Sequence, residues 1–171
     1  MKGNSRHAGI HFGAGAIAGI IAGMVMGLAA MTRAAAAGMS FWLPMEQIAA
    51  TFYGPDALLG GIGPILVGTA FHLGVAACLG GLVGLVAARR TAGRAFGMGL
   101  AAGVIIWLGM AYVALPLVDP VMRARVALLG GWWFVYHLIF GCMLFLVPLI
   151  DRMFEHGAPA PETGPADLSH A

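Results

Sequence analysis

Four long stretches of this chain carry almost no charge, and each is long enough to cross a bilayer as a helix. They run over about 10–32, 64–88, 95–117 and 128–150. Each holds about 23–25 residues, against the roughly 20 that a helical span requires. Of the 171 residues, 60% are apolar and only 9% are charged. Soluble domains carry roughly 25% charged residues, so this chain has too few polar groups to cover a water-facing surface. Helices satisfy their own backbone groups, which lipid demands. The expected fold is all-α: a polytopic membrane protein with four transmembrane helices forming one bundle over residues 1–155, with the lipid bilayer as its surroundings.

The formal net charge is +2, with no basic stripe, so a nucleic-acid partner is not expected. The placement of the positive charges is more informative. Lys2, Arg6, Arg89, Arg90, Arg94 and Arg152 fall on one side of such a bundle, and Arg33, Arg123 and Arg125 on the other. That excess puts both termini in the cytoplasm. A signal-peptide reading of the first stretch fits less well, because its apolar run exceeds the usual ~7–15 residues. The segment 156–171 is rich in Pro, Ala and Gly without apolar periodicity. It is expected to be a disordered cytoplasmic tail.

The chain also reads as a duplicated helical hairpin. Phe12-Gly13-Ala14-Gly15 resembles Phe96-Gly97-Met98-Gly99, and Ala18-Gly19 matches Ala102-Gly103, a register of 84 residues. Phe71-His72-Leu73 and Tyr136-His137-Leu138 repeat with a register of 65. The difference is extra length in the first outer loop. There Pro44 suits a first helical position, Glu46 favours the first turn, and Gly54-Pro55 stops the helix. Phe41, Met45, Ile48 and Phe52 form one apolar stripe, and Trp42 and Tyr53 suit a headgroup depth. The segment 44–53 is expected to be a short interfacial helix on the outer membrane face, or a cap over the bundle mouth.

Gly15, Gly19, Gly23 and Gly27 form a ridge of consecutive G-x-x-x-G units. In lipid such small residues let helix backbones approach. Gly80 with Gly84, and Gly99 with Gly103, repeat the device. The ridge is expected to pack within the bundle, with a homodimer or larger membrane complex as the alternative.

His72 and His137 are the candidate site. An imidazole in lipid is costly, so it needs a partner or a task. Each ring could bond a neighbour, with Thr69 and Tyr112 as available partners, or bond the other ring. The pair could instead ligate haem b from two helices, with Gly68 and Gly141 making room for the porphyrin. A third reading is a metal or proton relay on a transport path, with the metal unknown. Cys78 and Cys142 lie too far along their helices from the histidines for one zinc ion to join all four. The eleven methionines read as core filling rather than copper ligands, since Met24 and Met26 point to opposite faces.

The catalytic set is empty: no Asp, Glu, Lys or Arg falls within the four stretches, and there is neither a Walker loop nor an H-E-x-x-H motif. The protein is therefore expected to be non-enzymatic. The glycine-ridged first span ending Met24-Val25-Met26 belongs to a wider pattern. Leu43-Pro44-Met45, Tyr53-Gly54-Pro55-Asp56-Ala57-Leu58, the two His-Leu pairs and Pro116 complete it. Over about residues 10–150 the chain resembles small four-helix bacterial inner-membrane proteins of the YagU-like group. That resemblance implies a bacterial inner membrane and four helices, and carries over no ligand residues. The first expectation for function is an accessory or envelope-stress component. The alternatives are a b-type haem electron-transfer protein using His72 and His137, and a small transporter of protons, metal ions or an apolar solute.

Overall fold

The structure, a computed structural model, describes residues 2–156, with side chains from His7 onward. Every regular element among them is helical. Helix α1 runs Lys2–Ala36, α2 Leu43–Tyr53, α3 Ile62–Ala87 and α4 Ala92–Gly109. Then come α5 Leu115–Val118, α6 Pro120–Ala127, α7 Gly131–Met143 and α8 Val147–His156. Four units are long and apolar enough to cross a membrane: His7–Ala36, Ile62–Ala87, Ala92–Val118 and Gly131–His156. The first outlasts its expected end at 32 and stops where Gly38 takes φ +76°. There the Met39 N–H donates to the Ala34 carbonyl and the Gly38 N–H to that of Ala35, the pairing of a Schellman stop. The expected disordered tail lies outside the described residues, apart from His156.

Glycine sets how the long helices meet. A methyl group added at Gly15 would fall on the Gly80 carbonyl, and one at Gly19 on the Ala76 carbonyl. Helices α1 and α3 thus touch backbone to backbone, as the first G-x-x-x-G units lead one to expect. In the second half Gly99 meets the Gly141 carbonyl, and Gly103 the His137 carbonyl. Gly15 and Gly99 therefore play one role, as do Gly19 and Gly103, in the register of 84. Across the crossings, however, Gly141 stands where Gly80 stands and His137 where Ala76 stands. The partner register is 61, not the 65 that aligns the histidines. His72 and His137 occupy different levels of the two crossings, one helical turn apart.

Proline interrupts the hydrogen-bond ladder of the third span. Pro116 has no N–H to offer, and the ladder loosens into a π-helical turn over Met110–Ala114. The Leu115 N–H donates to the Met110 carbonyl, five residues back. That leaves the carbonyl of buried Ala111 without a helical donor, since the next N–H would be that of Pro116. Arg123 Nε supplies one from α6, at 2.7 Å. An arginine counted among the outer charges is thus part of the fold. Arg123→Ala is expected to strand that carbonyl and cost about 1–3 kcal/mol, read as a lower thermal midpoint in detergent. Arg125→Ala, which removes a neighbouring charge without that bond, is the comparison.

Helix α2 packs against the bundle with its backbone. Gly68 of α3 takes the backbone of Met45, and the Met45 side chain reaches Gly27, where an added methyl would lie 3.6 Å from its terminal carbon. Its buried face is Met45, Glu46, Ala49 and Ala50, while Phe41 and Phe52, assigned to the apolar stripe, are exposed. The stripe is displaced because α2 packs sideways onto α3 as well as facing the bundle mouth.

Candidate functional site

His72 and His137 do not bond each other. His72 Nε2 donates to the Gly23 carbonyl across to α1, at 2.9 Å. His137 Nδ1 donates to the Trp133 carbonyl one turn back on its own helix, at 2.8 Å. Because a carbonyl only accepts, each bond fixes a ring nitrogen that carries a hydrogen, Nε2 in His72 and Nδ1 in His137. Neither Thr69 nor Tyr112 is the partner. Tyr112 is 64% exposed and sets its ring edgewise against Trp107.

Both imidazoles face one apolar cavity of about 170 Å³. Its walls are Phe71, Val75 and Leu79 of α3 and Ile106, Met110 and Leu115 of the third span. His137 is 6% exposed. Among the described residues no fully buried side-chain nitrogen lacks a partner, so its unbonded Nε2 keeps some accessible surface, and His137 lines this cavity. Toward the end of the bundle away from the termini lies a second cavity of about 340 Å³, which shares Met26, Ile48, His72, Met122, Val126 and Trp133 with the first. Together they form one cleft. Its outer part is bounded by α1, α2, α6 and α7, and Arg33, Gln47, Arg125 and Tyr136 bring polar groups to it.

The haem arrangement does not fit this geometry as it stands. The two glycines expected to admit a porphyrin are filled, Gly68 by the Met45 backbone and Gly141 by that of Gly99. His72 has committed Nε2 to Gly23, leaving Nδ1 as its only lone pair. The cavity that both rings line is also smaller than the roughly 300–1,000 Å³ usual for sites of drug-sized ligands. Cys78 and Cys142 are free thiols, and no group of three or more potential metal ligands occurs among the described residues.

The cleft is closed on one side by a polar latch. Thr51 of α2 donates to Asp119 Oδ2 at 2.6 Å, and the Met122 N–H donates to Asp119 Oδ1 at 2.8 Å. Asp119 caps α6 and ties it to α2. Burial alone would raise its pKa. The hydrogen bonds from Thr51 and the backbone, with the Arg125 charge, outweigh that and hold it below the ordinary carboxylate value.

A second polar cluster lies at the opposite end, where α1 begins and α8 ends. His11 Nδ1 and Asp151 Oδ1 are 2.7 Å apart, and Arg89 Nε donates to His11 Nε2 at 3.1 Å. Asp151 is 2% exposed and His11 8%. This corrects the expectation that no acidic side chain lies within a span, because the fourth span continues to His156 and holds Asp151. The apolar stretch itself ends at 150. His11 carried a signal, since it stands inside the first expected span. No local pattern joins positions 140 residues apart.

The chain matches no family model, no curated protein and no solved structure in such comparisons.

Proposed function

We propose that this is a non-enzymatic, multi-pass protein of a bacterial inner membrane that binds an apolar small molecule in the cleft between its two helical pairs. The observation that carries the reading is the shared cavity. Two imidazoles from different helices line it, and His137 Nε2 has no hydrogen-bond partner. A histidine kept only for packing would be expected to satisfy both nitrogens or to bury them without a void. An apolar cavity with few convergent polar groups is the usual form of a small-molecule site. Ligand binding of this kind suits an accessory or envelope component, and also a carrier of an apolar solute. The likeness to the YagU-like group agrees with the inner-membrane assignment. The parallel glycine contacts of the α1–α3 and α4–α7 crossings favour a duplicated hairpin.

The arginine asymmetry supports cytoplasmic termini. In that orientation the cleft opens to the outer side, and α2 caps its mouth at the interface. A reporter fused after Ala171 should then be active only in the cytoplasm and one inserted at Asp119 only outside. The opposite pattern would overturn the orientation.

The cleft is tested with Trp133, which lines both of its parts. In lipid nanodiscs a neutral long-chain bromoalkane should quench Trp133 saturably, with the signal defined by comparison with Trp133→Phe. Val126→Phe, which fills the wall common to both cavities, should reduce the quenching to a linear partitioning response. Linear quenching in the unaltered protein would mean that no molecule is held there.

A further inference from the structure

The mouth of the cleft has a sign. Arg33 and Arg125 both line its outer part, and no acidic side chain does. Neither arginine belongs to an ion pair. Among the described residues the one close contact between a basic and an acidic side chain is that of His11 with Asp151, at the other end of the bundle. The acidic group whose charge bears on Arg125 is Asp119, and its two oxygens already accept from Thr51 and the Met122 N–H. Arg33 stands over the Trp132 ring, 5.0 Å from its centroid. That contact holds the guanidinium at the rim and leaves its N–H fork unspent.

Polarity falls steadily inward from there. Gln47 and Tyr136 stand with the arginines in the outer part. Beyond His72 the walls are Phe71, Val75, Leu79 and their neighbours from the third span. Cationic at the mouth and apolar at depth, the cleft is complementary to a molecule of the opposite build.

We propose that the ligand is an anionic amphiphile: a carboxylate or phosphate head held by Arg33 and Arg125, with an apolar chain running past His72 toward His137. The proposal rests on the cleft being a binding site and adds the charge of its occupant. A guanidinium fork recognises carboxylate and phosphate alike by paired N–H donors. The shared chemistry is therefore an acidic head on an apolar tail, from a free fatty acid or from a phosphate-bearing lipid.

The Trp133 quenching assay separates these elements. Three probes of equal chain length carry a bromine at the far end and a carboxylate, a phosphate or a neutral hydroxyl as head. At least one acidic probe should bind about tenfold or more tightly than the alcohol, the scale of a charge-assisted hydrogen bond. The advantage should shrink as salt rises. Arg33→Gln and Arg125→Gln should each bring the acidic probe toward the alcohol's affinity. The readout is the ratio of acidic to alcohol affinity within each variant, which should fall toward one, and a thermal midpoint measured in the same nanodiscs shows that each variant is folded. A tighter carboxylate assigns the site to fatty acids, and a tighter phosphate to lipid phosphates. Saturable alcohol binding with no advantage for either acid would overturn the anionic ligand and leave the cleft intact. An acidic advantage untouched by both arginine variants would overturn it as well. Absence of saturable binding by all three probes would remove the cleft reading and this proposal together.

Discussion

Gly19→Leu should separate the first helix pair. At that position even a methyl group would strike the Ala76 carbonyl and come 2.9 Å from the Gly80 Cα. Both are backbone atoms, so no side-chain rotation relieves the clash. The helices must part along the crossing, and with them go the contacts that hold α1 against α3. The cost is expected to reach or exceed the about 1–3 kcal/mol of an overpacked core, seen as a large fall in thermal midpoint or loss of the folded species in detergent. Gly23→Leu should be somewhat milder. An added methyl there comes within 2.7 Å of the Ala76 Cβ, a longer approach than that to the Ala76 carbonyl at Gly19, although that Cβ cannot rotate away either. Gly97→Leu faces open space and should be tolerated, with a helix-propensity gain of up to about 1 kcal/mol. Equal effects at positions 19 and 97 would show that the glycine ridge is no interface.

His11→Ala should be comparably severe for a different reason. It leaves Asp151 buried at 2% exposure and without the partner that now lies 2.7 Å from it. Losing the hydrogen bond to a buried carboxylate costs about 1–3 kcal/mol, and more where that group is charged. Replacing both members by apolar groups of similar size removes that penalty. His11→Phe combined with Asp151→Leu should therefore recover much of the midpoint lost in either single variant. Additive losses would mean that the two residues act independently. Arg89→Gln should cost less than His11→Ala, since Arg89 is exposed and bonds the histidine from the water side.

The four spans and the glycine ridge were legible because both are periodic, one-dimensional signals. An apolar run of bilayer length has few other uses, and small residues four apart on such a helix face a neighbour. The histidines were legible as costly residues in lipid, but their partners were not. Gly23 and Trp133 act through backbone carbonyls, which no side-chain pattern advertises. The histidine register also misled. The match of Phe-His-Leu to Tyr-His-Leu is local, whereas the helix crossing aligns His137 with Ala76. Gly68 and Gly141 were read as space for a cofactor and prove to be space for backbone.

Sequence alone determined that the chain is helical and apolar over four membrane-length units, and that α1 carries its packing face at Gly15, Gly19, Gly23 and Gly27. These follow from composition and spacing along single helices. Only the tertiary structure decided which carbonyls the imidazoles use and that Arg123 closes the gap left by the π-helical turn and Pro116. It likewise decided that His11, Arg89 and Asp151 meet, and that Arg33 and Arg125 share one mouth. Each of these joins residues on different elements, or a side chain to a carbonyl, and depends on the angle and register at which helices cross. Those quantities are settled by backbone contact at glycines and by breaks in the helical ladder ahead of proline, where shifting one helix by a single turn gives every side chain a different neighbour.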